Sequence, residues 1–411
     1  MNKKADRYIK VFPWYSGFSS DLLFYIAIDT LFLTVVKNFS PAEIVSITSL
    51  SQLACIALQF PILFIIKKIG NTASVRTGAF LMLASSVFIT FGKSYYLVLL
   101  GRIVHDASVI FRSASVVALE NVLEIEGRRN DFVKIRTSAN TVYAVITMII
   151  SFVASYMFNL NNYLPMICCI STCAIGFLLS LLMKDCSDYN KISSKKAGKE
   201  KDKVKIRYDK ILIIAILLYS LFYSIVTNGQ NEGKLFIQQQ VLLDFDIDKT
   251  SLIIGAIVCV SRIIRVLSNI IFAKLYDKYK SKVGVALPIL LGTSIGSMLF
   301  GSFIPNVITK ILVMGLGYII ILFIRDPFKL YIQDVVFEST PKEAHQTLIT
   351  VLEFGVKIAT AGIGLGFSAL LLSYPMITII AIMFATSAIQ IVLGIWLYRA
   401  ILIGKEKLKN V

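Results

Sequence analysis

The chain contains 411 residues, of which 56% are hydrophobic and 16% are charged, and its mean hydropathy is +0.75. Soluble domains carry about 25% charged residues, and their interiors grow too slowly with chain length to bury this much apolar surface. The composition therefore excludes an ordinary soluble protein and predicts an all-α protein that crosses the lipid bilayer several times.

The net charge of +17 also has to be explained. In a soluble protein it would suggest nucleic-acid binding, but membrane proteins concentrate Lys and Arg in their cytoplasmic loops. We therefore expect the lipid bilayer, and no nucleic acid, as a partner. The six cysteines form no CxxC pair and no metal-ligand spacing, so no metal site is predicted. With two histidines, no phosphate loop and no nucleophile elbow, the sequence predicts neither an enzyme nor a bound cofactor.

Spanning helices need about 20 mostly apolar residues, and by that rule the sequence predicts twelve transmembrane helices. The first six are Val11–Val36, Ala42–Ile66, Thr77–Gly92, Tyr95–Leu123, Thr137–Met157 and Tyr163–Met183. The second six are Ile211–Phe236, Ser251–Ala273, Val283–Phe303, Ile308–Ile332, Leu348–Leu372 and Pro375–Tyr398.

The distribution of basic residues predicts the orientation of these helices. Thirty of the 42 Lys and Arg residues lie in the segments 1–10, 67–76, 125–137, 184–210, 274–282, 341–347 and 399–411. The loops on the opposite side hold four, namely Lys37, Lys93, Lys249 and Lys310. Because basic loops stay in the cytoplasm, we expect a multi-pass protein of the cell membrane with both termini cytoplasmic.

A polar segment at 184–210 contains ten of the basic residues and separates two halves of similar length. We interpret it as a cytoplasmic linker between an N-terminal six-helix lobe, 1–183, and a C-terminal six-helix lobe, 211–411. The halves also resemble each other, because FRSASVVALENV from Phe111 parallels FKLYIQDVVFES from Phe328. Repeated lobes of this kind are typical of transporters that bind a small molecule near the middle of the membrane.

The first and fourth predicted helices carry candidates for proton coupling, because ionisable residues inside a membrane are costly unless they are functional or paired. Asp21 and Asp29 are two such candidates, and with Tyr25, a candidate for the substrate cavity, they follow one another at i+4 on one helical stripe. On the fourth helix, Arg102, His105 and Asp106 form either a proton relay or an intrahelical salt bridge. For Asp21 and Asp29 the alternative is a structural carboxylate satisfied by a partner, and for Asp21 it is also simple proximity to the membrane interface.

The seventh and eighth predicted helices carry candidates for substrate binding. The stretch TNGQNEGKLFIQQQ predicts a broken seventh helix that either lines a cavity or ends in the outer vestibule. Its polar candidates are Asn228, Gln230, Asn231, Glu232 and Gln238. On the eighth helix, Arg262 and Arg265 are three residues apart and suit either an anionic solute or pairing with an acid such as Glu353.

Several of these residues resemble signatures of the major facilitator superfamily (MFS). The family's basic loop between helices two and three is kept in part, without its Asp, and its second-half counterpart and the Arg102 position also match. His105 and Asp106 replace the usual Gln-Gly, and the Gly-Pro motif of drug antiporters is missing from the fifth helix. The first loop is represented by Lys67, Lys68, Gly70 and Arg76, and the second by Asp277, Lys278, Lys280 and Lys282.

The resemblance implies a monomeric two-lobed transporter that alternates between inward-open and outward-open states. Its cytoplasmic gate would contain Lys67, Lys68, Gly70, Arg76, Arg112, Glu120, Asp277, Lys278 and Lys329. A gradient of protons would drive either export of amphipathic compounds by antiport or uptake of a polar or anionic solute by symport. A membrane receptor of the same fold that no longer transports is the third alternative.

Overall fold

The computed structural model describes residues 3–183, 210–340 and 345–409, and these are helical along nearly their whole length. The predicted linker, 184–210, lies outside the described residues except for Lys210. The helices of the first half are α1 (Lys3–Ser19), α2 (Leu23–Leu31), α3 (Pro41–Ile69), α4 (Asn71–Phe91), α5 (Tyr95–Ile125), α6 (Phe132–Leu160) and α7 (Leu164–Leu182). Those of the second half are α8 (Lys210–Leu242), α9 (Ile247–Gly301), α10 (Val307–Glu338), α11 (His345–Leu370) and α12 (Met376–Lys409).

Two compact units divide the described chain. The first unit contains residues 3–39 and 50–183, and the second contains 40–49, 210–340 and 345–409. Eleven stretches of described helix are long and apolar enough to cross a membrane. The 31-residue α5, which packs against α4, follows the third of them. Counting α5 gives the expected twelve.

The first predicted helix is interrupted at Ser20–Leu22, so Asp21 lies in the break and the expected stripe continues only through Tyr25 and Asp29 on α2. Local side-chain bonds explain the break. The hydroxyl groups of Ser19 and Ser20 donate to backbone carbonyls four residues earlier, and Asp21 Oδ1 accepts from the backbone N–H of the next residue at 2.9 Å. Such bonds compete with the helical ladder and bend it.

The seventh predicted helix, in contrast, is unbroken, because α8 runs through the polar stretch as one helix of 33 residues. Its glycines are covered by large side chains of the same unit. A Cβ on Gly229 would lie 3.0 Å from Ile321 Cδ1, and one on Gly233 would lie 3.2 Å from Met298 Sδ. Tertiary packing thus outweighs the cost of glycine, about 1 kcal/mol relative to Ala, and the predicted break was wrong.

The cytoplasmic loop predicted at 274–282 is also helical, because α9 continues through it over 55 residues. Its sequence, KLYDKYKSK, contains neither Gly nor Pro, and Lys and Leu are good helix formers. Two stretches of α9, Ile247–Phe272 and Lys282–Gly301, are apolar enough to span separately. The two predicted helices are therefore present but joined without a loop.

A serine-to-glycine contact occurs once in each unit. Ser85 Oγ on α4 donates to the carbonyl oxygen of Gly101 on α5 at 2.8 Å. In the second unit, Ser294 Oγ on α9 donates to the carbonyl oxygen of Gly317 on α10 at 2.6 Å. Small residues let helix backbones approach closely in membranes. In each half, this contact joins the predicted third helix to the predicted fourth.

Candidate functional site

His105 lies between two carboxylates that come from different segments of the first unit. Its Nε2 is 3.2 Å from Oδ1 of Asp21 in the break between α1 and α2. Its Nδ1 is 3.1 Å from Oδ1 of Asp106 on α5. The side chain is 4% exposed. Both ring nitrogens can donate to carboxylates only in the imidazolium form, so a proton on His105 joins the two segments.

The Asp21 contact is an ion pair rather than an aligned hydrogen bond, since Nε2 meets the distance but not the direction that a hydrogen bond needs. Arg102 Nε lies 3.9 Å from Asp106 Oδ1, and Ser51 on α3 contributes a hydroxyl to the same carboxylate. We call Asp21, Arg102, His105 and Asp106 the histidine cluster. The expected intrahelical salt bridge is therefore present, but it is extended to another segment through the histidine.

Tyr25 and Asp29 lie on α2 beside the histidine cluster. Tyr25 is 4% exposed, and the charges of Arg102 and Asp29 both act on its hydroxyl. One carboxylate oxygen of Asp29 accepts from the backbone N–H of Thr30 at 2.6 Å. The structure thus brings the proton-coupling candidates of the first and fourth predicted helices together.

In the second unit, the two predicted arginines on α9 have different surroundings. Arg265 grips Asp326 on α10 with two bonds, Nε to Oδ2 at 2.7 Å and Nη2 to Oδ1 at 3.0 Å. Asn269 Nδ2 reaches the same carboxylate at 3.4 Å. Nε of Arg262 has no hydrogen-bond partner among the described residues. The pairing alternative therefore holds for Arg265, with Asp326 in place of Glu353.

Polar residues of α8 are buried rather than open to an outer vestibule. Asn228 is 2% exposed, Glu232 is 3% exposed and Gln238 is fully buried. Gln230 and Asn231 are half-buried. Gln230 Oε1 accepts from Nη1 of Arg325 at 2.9 Å.

The predicted gate residues differ in exposure and in their contacts. Lys67, Lys68 and Lys278 are exposed, whereas Arg112 is 7% exposed and its Nε donates to the Ser108 carbonyl oxygen at 3.3 Å. The others pair locally. The contacts are Arg76 Nη2 to the Met183 carbonyl oxygen at 3.2 Å, Glu120 to Arg129 at 3.6 Å and Lys329 to Glu353 at 3.3 Å.

Gly70 forms the whole connection between α3 and α4, with a φ of 84° that favours glycine. The side chain of Asp277 lies outside the described part of the structure.

Two networks were missed by the sequence analysis. On α10, Arg325 Nε donates to the hydroxyl of Tyr223 at 3.0 Å, in addition to its bond with Gln230. Near the end of α10, Lys280 of α9 contacts Asp334 at 2.5 Å and Glu338 at 2.6 Å, and Tyr276 donates to Asp334. The sequence contained a signal for the second network, since Tyr276 and Lys280 on α9, and Asp334 and Glu338 on α10, are each four residues apart and share a helix face.

No group of His, Cys, Asp and Glu side chains among the described residues is arranged to hold a metal ion. Five cysteines in this part of the chain are free thiols.

Comparison with known proteins supplies the family. The model of the Major Facilitator Superfamily matches residues 14–334. No curated protein sequence matches the chain. Several solved transporters share the fold. The nucleoside transporter NupG aligns with a TM-score of 0.70 at 12% identity, over 97% of this chain and 99% of its own.

Two further structures extend this similarity. A bacterial homologue of the iron transporter ferroportin, in an inward-facing state, aligns with a TM-score of 0.70 at 10% identity, over 97% of this chain and 99% of its own. The peptide transporter POT in complex with sulfate gives 0.66 at 12% identity, over 96% and 93%. At such identities the structures show a common fold. Together with the family match, they show that the chain belongs to the Major Facilitator Superfamily and is a multi-pass, non-enzymatic membrane transporter.

Proposed function

We propose that this transporter is coupled to protons and that the histidine cluster is its proton-responsive element. The observation that carries the proposal is the placement of both His105 nitrogens within 3.2 Å of carboxylate oxygens from two segments. Imidazole is the side chain whose ordinary pKa lies closest to neutrality. A change in its protonation therefore alters a contact between segments under physiological conditions.

The proposed step is a single proton transfer. In the imidazolium form, one N–H faces Asp21 and the other faces Asp106, so the break between α1 and α2 is held against α5. When one ring nitrogen gives its proton to water, it becomes an acceptor facing a carboxylate. Attraction at that contact turns into repulsion between lone pairs, and one carboxylate is released.

Neighbouring groups set the electrostatic surroundings of this step. Tyr25 and Asp29 from α2 act on Arg102 of the cluster, and Cys173 from α7 lies close enough for the charge of His105 to act on it. Asp21 also acts on the buried guanidinium of Arg112. Within the cluster, Arg102 contributes one positive charge, and Asp21 and Asp106 contribute the two carboxylates that contact His105.

The solute is the open part of the proposal. Export of amphipathic compounds by antiport and uptake of a polar or anionic solute by symport both fit a proton-coupled member of this superfamily. The buried polar groups Asn228 and Glu232 favour the polar solute, as does the Nε of Arg262, which has no hydrogen-bond partner in the part of the chain that the structure describes. We further propose a monomer in the cell membrane with both termini cytoplasmic, because the sequence places its basic segments on one side.

Solute-driven proton movement in proteoliposomes with an entrapped pH dye tests this function. The first probes are a nucleoside, a dipeptide and Fe²⁺, after the structural neighbours, followed by an organic acid and a lipophilic cation. We expect one probe to move protons with the wild-type protein. His105→Asn should carry the same probe without moving protons, while His345→Asn, which alters the other histidine, should behave as the wild type.

Equal proton movement with His105→Asn would remove the histidine cluster from coupling. If the wild-type protein binds one of these probes in a thermal-shift screen yet neither it nor protons cross the membrane, the receptor alternative is favoured instead.

A further inference from the structure

Glu232 on α8 is a buried carboxylate that the histidine cluster does not involve. It is 3% exposed, and its Oε2 has no hydrogen-bond partner among the described residues. The contact that the structure gives to its carboxyl group is with its own backbone N–H. No Lys, Arg or His of the described residues forms an ion pair with it. An ionised carboxylate in such a place would cost several kcal/mol.

The helices that pack against α8 bring no compensating charge to this position. A Cβ on Gly364 of α11 would lie 3.9 Å from Asn228 Oδ1, which places Glu232 about one turn beyond that level. The charged residues of α11, Glu353 and Lys357, lie seven or more residues before Gly364, so they are about 10 Å or more away along the axis. Glu353 is also paired with Lys329.

The other three neighbours of α8 agree with this. On α10, Arg325 is bound to Tyr223 and Gln230 and Lys310 is paired with Asp244, while Tyr318 contributes a buried phenol rather than a charge. The stretch of α9 that covers Gly233 is 283–301, and it contains no charged residue. Residues 376–398 of α12 contain none either. On α8 itself the titratable neighbours are Tyr219, Tyr223 and Lys234, and none of the three is among the groups that act on Glu232.

We propose that Glu232 is a second proton-binding site, located in the second unit, and that it carries a proton in the conformation described here. A proton is the one cation that needs no cavity, and it converts the uncompensated charge into a neutral carboxyl group. Asn228 lies one turn earlier on the same helix, and its Nδ2 has no partner among the described residues. This amide is available to donate to the carboxylate once water reaches Glu232 and the proton leaves.

Glu232 would add a second proton site to the proton coupling proposed above, and the role of its proton in transport rests on that proposal. With the histidine cluster in one unit and Glu232 in the other, a transport cycle would move two protons. The proton site itself is testable without any solute.

Infrared difference spectroscopy of the purified protein in lipid nanodiscs, between neutral and alkaline pH, detects the carbonyl stretch of a protonated carboxyl group. We expect one such band at neutral pH in the wild type. Glu232→Gln should lose it, and Glu353→Gln should keep it, because Glu353 is exposed and paired with Lys329. The band should persist when choline replaces sodium.

Four outcomes would overturn the proposal: a wild-type spectrum without the band, a band that survives in Glu232→Gln, a band that Glu353→Gln abolishes, or a band that sodium suppresses at neutral pH. The last would assign the site to a sodium ion. Glu232→Asp guards against a folding defect, since it should shift the band without removing it. A band lost in Glu232→Gln but kept in His105→Asn supports the second site even where His105 proves unnecessary for coupling.

Discussion

The two units share a helix-to-helix contact but contain different polar interiors. In each, a serine hydroxyl donates to a glycine carbonyl, Ser85 to Gly101 and Ser294 to Gly317. In the first unit, two carboxylates meet on one histidine, the residue type whose ordinary pKa is closest to neutrality. In the second, Asp326 is held by the guanidinium of Arg265 through two hydrogen bonds, and guanidinium is not a group that exchanges protons near neutral pH. Small residues thus maintain the repeated fold, while the charged residues differ in chemistry.

The largest difference should appear when a guanidinium is removed from each unit. Arg265→Gln leaves Asp326 without its bidentate partner and should cost about 2 kcal/mol of stability, because a partly buried carboxylate is left with only Asn269 and the charge of Arg325. Arg102→Gln should cost less, since Arg102 is 3.9 Å from Asp106 and His105 still contacts that carboxylate. Thermal unfolding in detergent measures both.

Asp326→Asn added to Arg265→Gln should recover part of the loss, because the second change removes the unpaired charge. An equal loss for the two single variants, or a double variant worse than Arg265→Gln, would contradict the contrast between an exchangeable cluster and a fixed pair.

The serine-to-glycine contact should tolerate a larger residue in place of glycine less well in the second unit than in the first. A Cβ on Gly317 would lie 2.5 Å from the backbone oxygen of Ser294, which cannot move without shifting α9. A Cβ on Gly101 would meet side-chain atoms first, Ile89 Cγ1 at 2.9 Å and Phe88 Cβ at 3.0 Å, and its nearest backbone atom, Ile89 N, would be at 3.2 Å. Overpacking costs about 1–3 kcal/mol, so we expect about 1.5 kcal/mol for Gly317→Ala and about 1 kcal/mol for Gly101→Ala, a smaller difference than between the two arginine variants. The same unfolding assay ranks them, and the reverse order would refute the backbone argument.

The smallest effect concerns the network of Tyr276, Lys280, Asp334 and Glu338. Burial alone would lower the pKa of Lys280, but the two carboxylates outweigh it and hold that pKa above its ordinary value. Burial raises the pKa of the Tyr276 hydroxyl, and Asp334 raises it further. Both groups lie between the spanning stretches of α9.

A raised folded-state pKa gives stability that is complete below the ordinary values, about 10, and is lost as the pH rises above them. Lys280→Met should therefore cost about 0.5–1 kcal/mol at pH 7, since the pairs are partly exposed. It should also reduce the fall in stability between pH 9 and 11. Lys278→Met, which alters a neighbouring exposed lysine, should leave this alkaline profile unchanged. A wild-type profile that is flat over this range would mean that the network contributes nothing.

Much of the architecture could be predicted from the sequence because hydropathy and charge are local properties. Apolar stretches of about 20 residues must lie in lipid, and this fixed the membrane class and the approximate positions of the helices. The neighbours Arg102, His105 and Asp106 could likewise be recognised on one helix. Asp21 was recognised as a candidate for proton coupling, but its contact with His105 was not predicted.

Helix continuity could not be read from composition alone. Ser19, Ser20 and Asp21 interrupt an apolar stretch because their side chains bond to the backbone. In α8, Gly229 and Gly233 do not interrupt a polar stretch of helix, because Ile321 and Met298 cover them. Both outcomes depend on a balance of about 1 kcal/mol per residue, which tertiary contacts decide.

The sequence by itself determined which ionisable residues are placed in the membrane, since each is visible within an apolar stretch. Only the tertiary structure decided which of them meet. Arg265 pairs with Asp326, 61 residues away, and Asp21 pairs with His105, whereas Glu232 meets no charge in the described residues. The reason is physical. Partners on different helices are chosen by the register and rotation of packed helices, and neither is encoded in the spacing along any one of them.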